Sequence, residues 1–90
     1  MVKKYMVPKK NHAGEYTTDS IVAARAYAAK MIREDEHGWT WWDIYTNEKN
    51  LKGLQKQKPY TTVVCSDGEY KWYHFGKISY MYSNGKLKKR

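Results

Sequence analysis

Residues 61–85 read Thr61-Thr62-Val63-Val64-Cys65-Ser66-Asp67-Gly68-Glu69-Tyr70-Lys71-Trp72-Tyr73-His74-Phe75-Gly76-Lys77-Ile78-Ser79-Tyr80-Met81-Tyr82-Ser83-Asn84-Gly85. This stretch decides the fold. β-Branched and aromatic residues dominate it, and such residues pack well on a pleated surface. Asp67-Gly68 and Asn84-Gly85 are two-residue hairpin signals, because both central positions of such a turn need positive φ. Gly76-Lys77 is a weaker turn or bulge. The stretch therefore reads as an antiparallel meander: 61–66, 69–75 and 78–83, with Lys86 to Arg90 closing as a short basic edge strand.

Upstream lies the helix. Thr18 or Asp19 supplies a capping oxygen, and Ile21, Ala24, Ala28, Met31 and Ile32 follow at helical spacing. Ala23, Ala24, Ala26, Ala28 and Ala29 favour helix and let its backbone approach a sheet closely. Tyr27 covers one flank. His37-Gly38 is a stop signal, so the helix is expected to end near Glu36. Glu34, Asp35 and Glu36 sit at the wrong end for the helix dipole, with no structural reason in the sequence. Lys3 to Val7 reads as a short strand terminated by Pro8, which has no N–H for a ladder. Tyr16-Thr17 adds a little extended structure. Trp39 to Thr46 is a strand with Trp39, Trp41, Asp43 and Tyr45 on one side and Thr40, Trp42, Ile44 and Thr46 on the other. The lysine-rich connection 47–59 holds Leu51, Gly53 and Leu54, with room for one short strand. The expected fold is a single α+β domain over 1–90: one helix on a mainly antiparallel sheet, in the order β-α-β followed by a three- to four-strand meander.

Composition narrows the function. Aromatic residues make up 16% of the chain, too many for a disordered one. Cys65 is the only cysteine, which excludes an internal disulfide and a multi-cysteine metal site and fits a reducing cytoplasm. No apolar run is long enough to cross a bilayer, and Met1-Val2-Lys3-Lys4-Tyr5 is not followed by the apolar core of a signal peptide. The formal charge of +8 is unevenly placed. Residues 1–10 hold four lysines and no acid; residues 11–46 hold three bases against six acids; residues 47–90 hold ten bases against three acids. A positive field at both ends favours an anionic partner, nucleic acid or an acidic protein face, over solubility alone.

The meander carries the binding chemistry. Trp72 and His74 alternate with Lys71, Tyr73 and Phe75, and Tyr80 and Tyr82 line one side of the next strand. One helix cannot cover rings on both faces of a sheet. Exposed rings stack on bases, and Lys71, Lys77, Lys86, Lys88, Lys89 and Arg90 are placed to meet phosphates. The plainer alternative is that the rings fill the core and form cross-strand pairs. Trp72, Tyr73, Tyr80 and Tyr82 are the stacking or anchoring candidates. The same residues suit a protein partner, or a homodimer through the aromatic sheet face. Catalysis is not expected. His12, His37 and His74 are scattered, and Cys65, mid-strand among valines, reads as an inert thiol that at most faces His74 across the hairpin. No cofactor and no metal are expected.

Residues 71–73 and 80–87 resemble the repeat of choline- and cell-wall-binding modules, but the pattern occurs once and those modules stack several copies. Lys4-Tyr5-Met6-Val7, Thr18 to Ala28 and Asp43-Ile44-Tyr45 resemble small accessory proteins of phages and mobile elements in Gram-positive bacteria. That resemblance implies inhibition or redirection of host machinery, CRISPR nucleases included, and assigns no residue a role. The expected function is thus a non-catalytic accessory protein that binds nucleic acid, a host nucleoprotein or an acidic protein surface in the bacterial cytoplasm.

Overall fold

The computed structural model describes residues 4–10, 14–46 and 61–88. One helix packs on a six-stranded, wholly antiparallel open sheet, an α+β architecture. The strands are β1 (Tyr5–Pro8), β2 (Glu15–Thr18), β3 (Trp41–Thr46), β4 (Thr61–Ser66), β5 (Glu69–His74) and β6 (Lys77–Met81), with helix α1 (Ile21–Glu34) between β2 and β3. Their order across the sheet is β2-β1-β3-β4-β5-β6. The connection 47–59, Lys3, His12, Lys89 and Arg90 lie outside the described residues.

Side-chain alternation sorts the sheet into two faces. Tyr5, Val7, Ile44 and Val63 point towards α1, where they meet Ala24, Ala28, Ala29 and Ile32. Val7, Ile44, Val63 and Met81 are fully buried, each contributing about 1.5–3 kcal/mol relative to exposure. The alanines on the inner stripe of α1 bring its backbone close to the sheet, and the helix lies over β1 to β4. Tyr27 covers the flank by stacking on Tyr16 at 4.3 Å.

Several expected details shift. Tyr16-Thr17 belongs to a full strand, β2, paired with β1 from Tyr5↔Thr18 to Pro8↔Glu15. The helix cap is Ser20, not Thr18 or Asp19: its Oγ accepts from the Ala23 amide at 3.1 Å. Thr18 Oγ1 is occupied by the Ser20 amide and Asp19 by the Lys4 amide. The helix stops at Glu34, two residues early, because Asp35 turns extended and its carboxylate accepts from the His37 and Trp39 amides at 2.9 and 2.7 Å. That Asx-type turn accounts for an acid at the negative end of a helix. Lys10, bonded to the Glu34 carbonyl at 3.3 Å and 3.8 Å from its carboxylate, accounts for a second. The strand expected from Trp39 begins at Trp41.

In the meander Asp67 and Gly68 both take positive φ, as a two-residue hairpin requires. The next turn is Phe75-Gly76 rather than Gly76-Lys77, with Phe75 itself at φ +50°. After β6 the chain folds back, but Lys86 to Lys88 forms a single bridge, Met81↔Leu87, in place of the expected strand. The fold-back is clasped to α1 instead. A Cβ on Gly85 would lie 2.1 Å from the Val22 carbonyl oxygen, so the turn rests directly on the helix backbone. Arg25, 4% exposed, donates from Nε to the Gly85 carbonyl at 2.8 Å and lies over the Trp72 ring at 4.3 Å.

Candidate binding face and cleft

The face turned away from α1 collects residues from four neighbouring strands. Cross-strand register places Trp41, Val64, Lys71 and Tyr80 in one row, and Asp43, Thr62, Tyr73 and Ile78 in the next. Tyr45 lies beyond on β3, and Tyr82 extends the line of Tyr80. Trp41, Tyr73 and Tyr82 are 43–53% exposed and Ile78 is 54% exposed, so the surface is both ringed and open. Lys71 Nζ lies 5.6 Å from the Tyr80 ring centre, and Lys88 Nζ lies 5.2 Å from that of Tyr82. Two acids temper the charge: Glu69 is 3.6 Å from Lys88, and Asp43 accepts from Thr62 Oγ1 at 2.9 Å.

Of the residues singled out in the sequence, Lys71, Tyr73 and Tyr80 therefore share this face, with Tyr82 and Lys88 at its margin. Trp72 does not join them. Its neighbours alternate outward, so its own ring turns inward beneath Arg25, and its indole N–H is buried with no acceptor among the described residues. His74 stacks flat on Trp72 at 4.5 Å, and Phe75 tilts against His74 at 4.2 Å. Lys77 pairs with His74, at the hairpin end of the Trp72 side. Lys86 is exposed in the fold-back. Six of the ten bases in 47–90 (Lys49, Lys52, Lys56, Lys58, Lys89 and Arg90) lie outside the described residues. Cys65 is half-buried and pairs with Tyr70, not His74, so the two are not cross-strand neighbours.

A second feature joins the face at Trp41. β1 pairs with β3 only at Tyr5↔Thr46 and Met6↔Tyr45. Pro8 ends β1, and the start of β3 parts from it. The gap is a cleft of about 470 Å³ at the carbonyl end of α1. Its apolar lining is Trp39, Trp41, Trp42 and Tyr45. Trp42 braces it by donating Nε1–H to the Pro8 carbonyl at 2.8 Å. Trp39 and Trp41 meet edge to face, 4.8 Å apart at 78°, so their planes form a corner. Glu34, Asp35, Glu36 and Asp43 contribute carboxylates to the lining, against Lys9 and Lys10.

Burial, with the nearby Asp43 carboxylate adding to it, raises the Tyr45 phenol above its usual value. Burial also lowers Arg25, partly offset by Tyr5. The sequence placed Trp41 and Tyr45 on one side of a strand, but only the β3–β4 register shows that side to be continuous with Lys71 and Tyr80. No group of three or more metal-ligating side chains converges among the described residues, and none of its helices is long and apolar enough to cross a membrane. The chain matches no family model, no curated protein and no solved structure.

Proposed function

We propose that this protein is a non-catalytic accessory protein of the phage or mobile-element kind, acting in the bacterial cytoplasm, that takes single-stranded nucleic acid across its open sheet face. The supporting observation is the set of exposed rings, Trp41, Tyr73 and Tyr82 with Tyr80 between, around Lys71 on a sheet whose other face the helix occupies. Flat rings on a rigid pleated surface stack bases with little ordering cost, and a lysine among them meets the backbone. Stacking is worth about 1–3 kcal/mol per base, so Tyr73→Ala is expected to weaken binding about 5- to 150-fold. Lys71→Ala is expected to reduce the salt slope by about 0.7. Fluorescence anisotropy with labelled single-stranded DNA and RNA at several salt concentrations measures both. Absence of salt-dependent binding at micromolar protein refutes the reading.

One observation favours a protein partner instead. Ile78 is exposed beside its cross-strand neighbour Tyr73, an apolar pair that suits a protein interface and adds nothing to phosphate contact. On that reading the chain inhibits host machinery, as an anti-defence or anti-CRISPR protein does, through an acidic protein surface. Capture of a host protein from nuclease-treated lysate that is lost in Ile78→Asp supports this second reading.

A further inference from the structure

We infer that the cleft between β1 and β3 is a second binding site, specific for a guanidinium group carried on an alkyl stem. This does not rest on the nucleic-acid reading of the open face. The cleft volume of about 470 Å³ is that of a small-ligand site. Its chemistry is the reverse of the whole chain's: a protein of net charge +8 lines this cavity with four acidic residues against Lys9 and Lys10. Lys10 pairs with Glu34, and Asp35 accepts from two amides, which leaves Glu36 and Asp43 to meet a ligand. The carbonyl end of α1 adds partial negative charge at the same place. Lys10 already shows the preference, its ammonium held by the Glu34 carbonyl and carboxylate.

Indole faces decide which cation. Trp39 and Trp41 are 47% and 46% exposed and stand at 78° to each other, forming two walls of a corner. A cation over an indole face is attracted by the ring quadrupole. A quaternary ammonium would use the rings but has no N–H to donate to Glu36 or Asp43. A lysine ammonium would use the carboxylates and the ring quadrupole but has no plane to lie flat on an indole and cannot bond two oxygens side by side. A guanidinium does both, stacking by its face and donating from its edge. Glu36 is exposed, and Asp43 is half-buried on the far wall with a second oxygen beyond the one Thr62 uses. The ligand's source is either a free alkylguanidine or an arginine side chain of a polypeptide.

The test is a titration followed by NMR at the indole N–H signals of Trp39, Trp41 and Trp42. The probes are agmatine and three capped tripeptides, Ala-Arg-Ala, Ala-citrulline-Ala and Ala-Lys-Ala. Saturable shifts are expected with agmatine and the arginine peptide, at concentrations on the order of millimolar. Citrulline, a neutral isostere, and lysine are expected to bind at least about tenfold more weakly. Trp39→Ala, which lies outside the strands, and the surface change Glu36→Gln should each weaken arginine binding while leaving the rest of the amide spectrum in place. Tighter binding of agmatine identifies a free guanidine as the source; tighter binding of the peptide identifies an arginine side chain. Equal binding of citrulline or lysine, no saturation, binding unchanged in Trp39→Ala, or indole shifts with guanosine monophosphate but not agmatine would each overturn the inference. An unchanged oligonucleotide titration leaves the open-face reading untouched by any of these results.

Discussion

Gly85→Ala is the sharpest probe of how the sheet is held to its helix. A methyl group there would sit 2.1 Å from the Val22 oxygen and 2.9 Å from the Ala26 nitrogen, both backbone atoms that cannot swing aside. The residue also has φ +89°, where an L side chain costs about 1–2 kcal/mol. The turn must therefore lift from the helix, and lifting breaks the bond from Arg25 Nε to the Gly85 carbonyl. A hydrogen bond to a charged group is worth about 1.5–3 kcal/mol. The two contributions give about 2.5–5 kcal/mol, a large share of the roughly 5–13 kcal/mol expected of a domain this size. Gly68→Ala is the control. It has φ +76° and nothing within 4 Å of an added Cβ, so it bears only the backbone cost. Urea unfolding followed by tryptophan fluorescence gives both free energies, and the Gly85 variant should melt at least about 10 °C below the parent. If the two variants differ by less than about 0.5 kcal/mol, the close approach to α1 and its clasp contribute nothing, and the reasoning fails.

Phe75 holds a left-handed turn position while 77% exposed, so Phe75→Asn should stabilise by about 0.5–1 kcal/mol and raise the melting temperature by about 2–8 °C, as calorimetry would show. Arg25→Lys should cost about 2–4 kcal/mol in urea unfolding, because an ammonium cannot both stack on Trp72 and reach the Gly85 carbonyl. Arg25→Met should cost less, since it leaves no charge to bury and its thioether still packs on the ring. The Tyr27 and Tyr45 phenols are both raised from 10.0, Tyr27 by burial and then by Glu34 and Tyr16. Their contribution to stability is complete below pH 10 and is lost as pH rises through their folded values, so a pH series of unfolding curves should fall above pH 10. Tyr45→Phe should remove one late-titrating phenol from the ultraviolet tyrosinate curve.

The elements were legible where local chemistry decides them. Five alanines with an apolar stripe specify α1, and Asp67-Gly68 specifies its hairpin, because neither depends on a distant neighbour. Ser20 is not legible as the cap: three adjacent oxygens compete, and the other two are occupied, Asp19 by the distant Lys4 amide and Thr18 by a local turn to the Ser20 amide. Phe75 does not read as a turn residue, because a bulky side chain at positive φ is uncommon. The candidate site divided in the same way. Alternation along β5 and β6 separates Lys71 and Tyr73 from Trp72, but which side the helix covers is a tertiary fact. The cleft depends on where β1 and β3 stop pairing, and no run of residues encodes that alone. Glu34, Asp35 and Glu36, odd at a helix end, and the shared side of Trp39, Trp41, Asp43 and Tyr45 are its signs in the sequence.

The clasp also constrains the order in which the molecule can be made. Arg25 and the carbonyl that receives it are 60 residues apart. A ribosome delivers the helix long before it delivers Gly85. In that interval the guanidinium has no Gly85 carbonyl to meet. Of the hairpins, only β1–β2 precedes α1 in the chain, while β4–β5 and β5–β6 follow it. The clasp can therefore close only after residue 85 has been made, while the packing of α1 on β1, β3 and β4 needs nothing beyond residue 66.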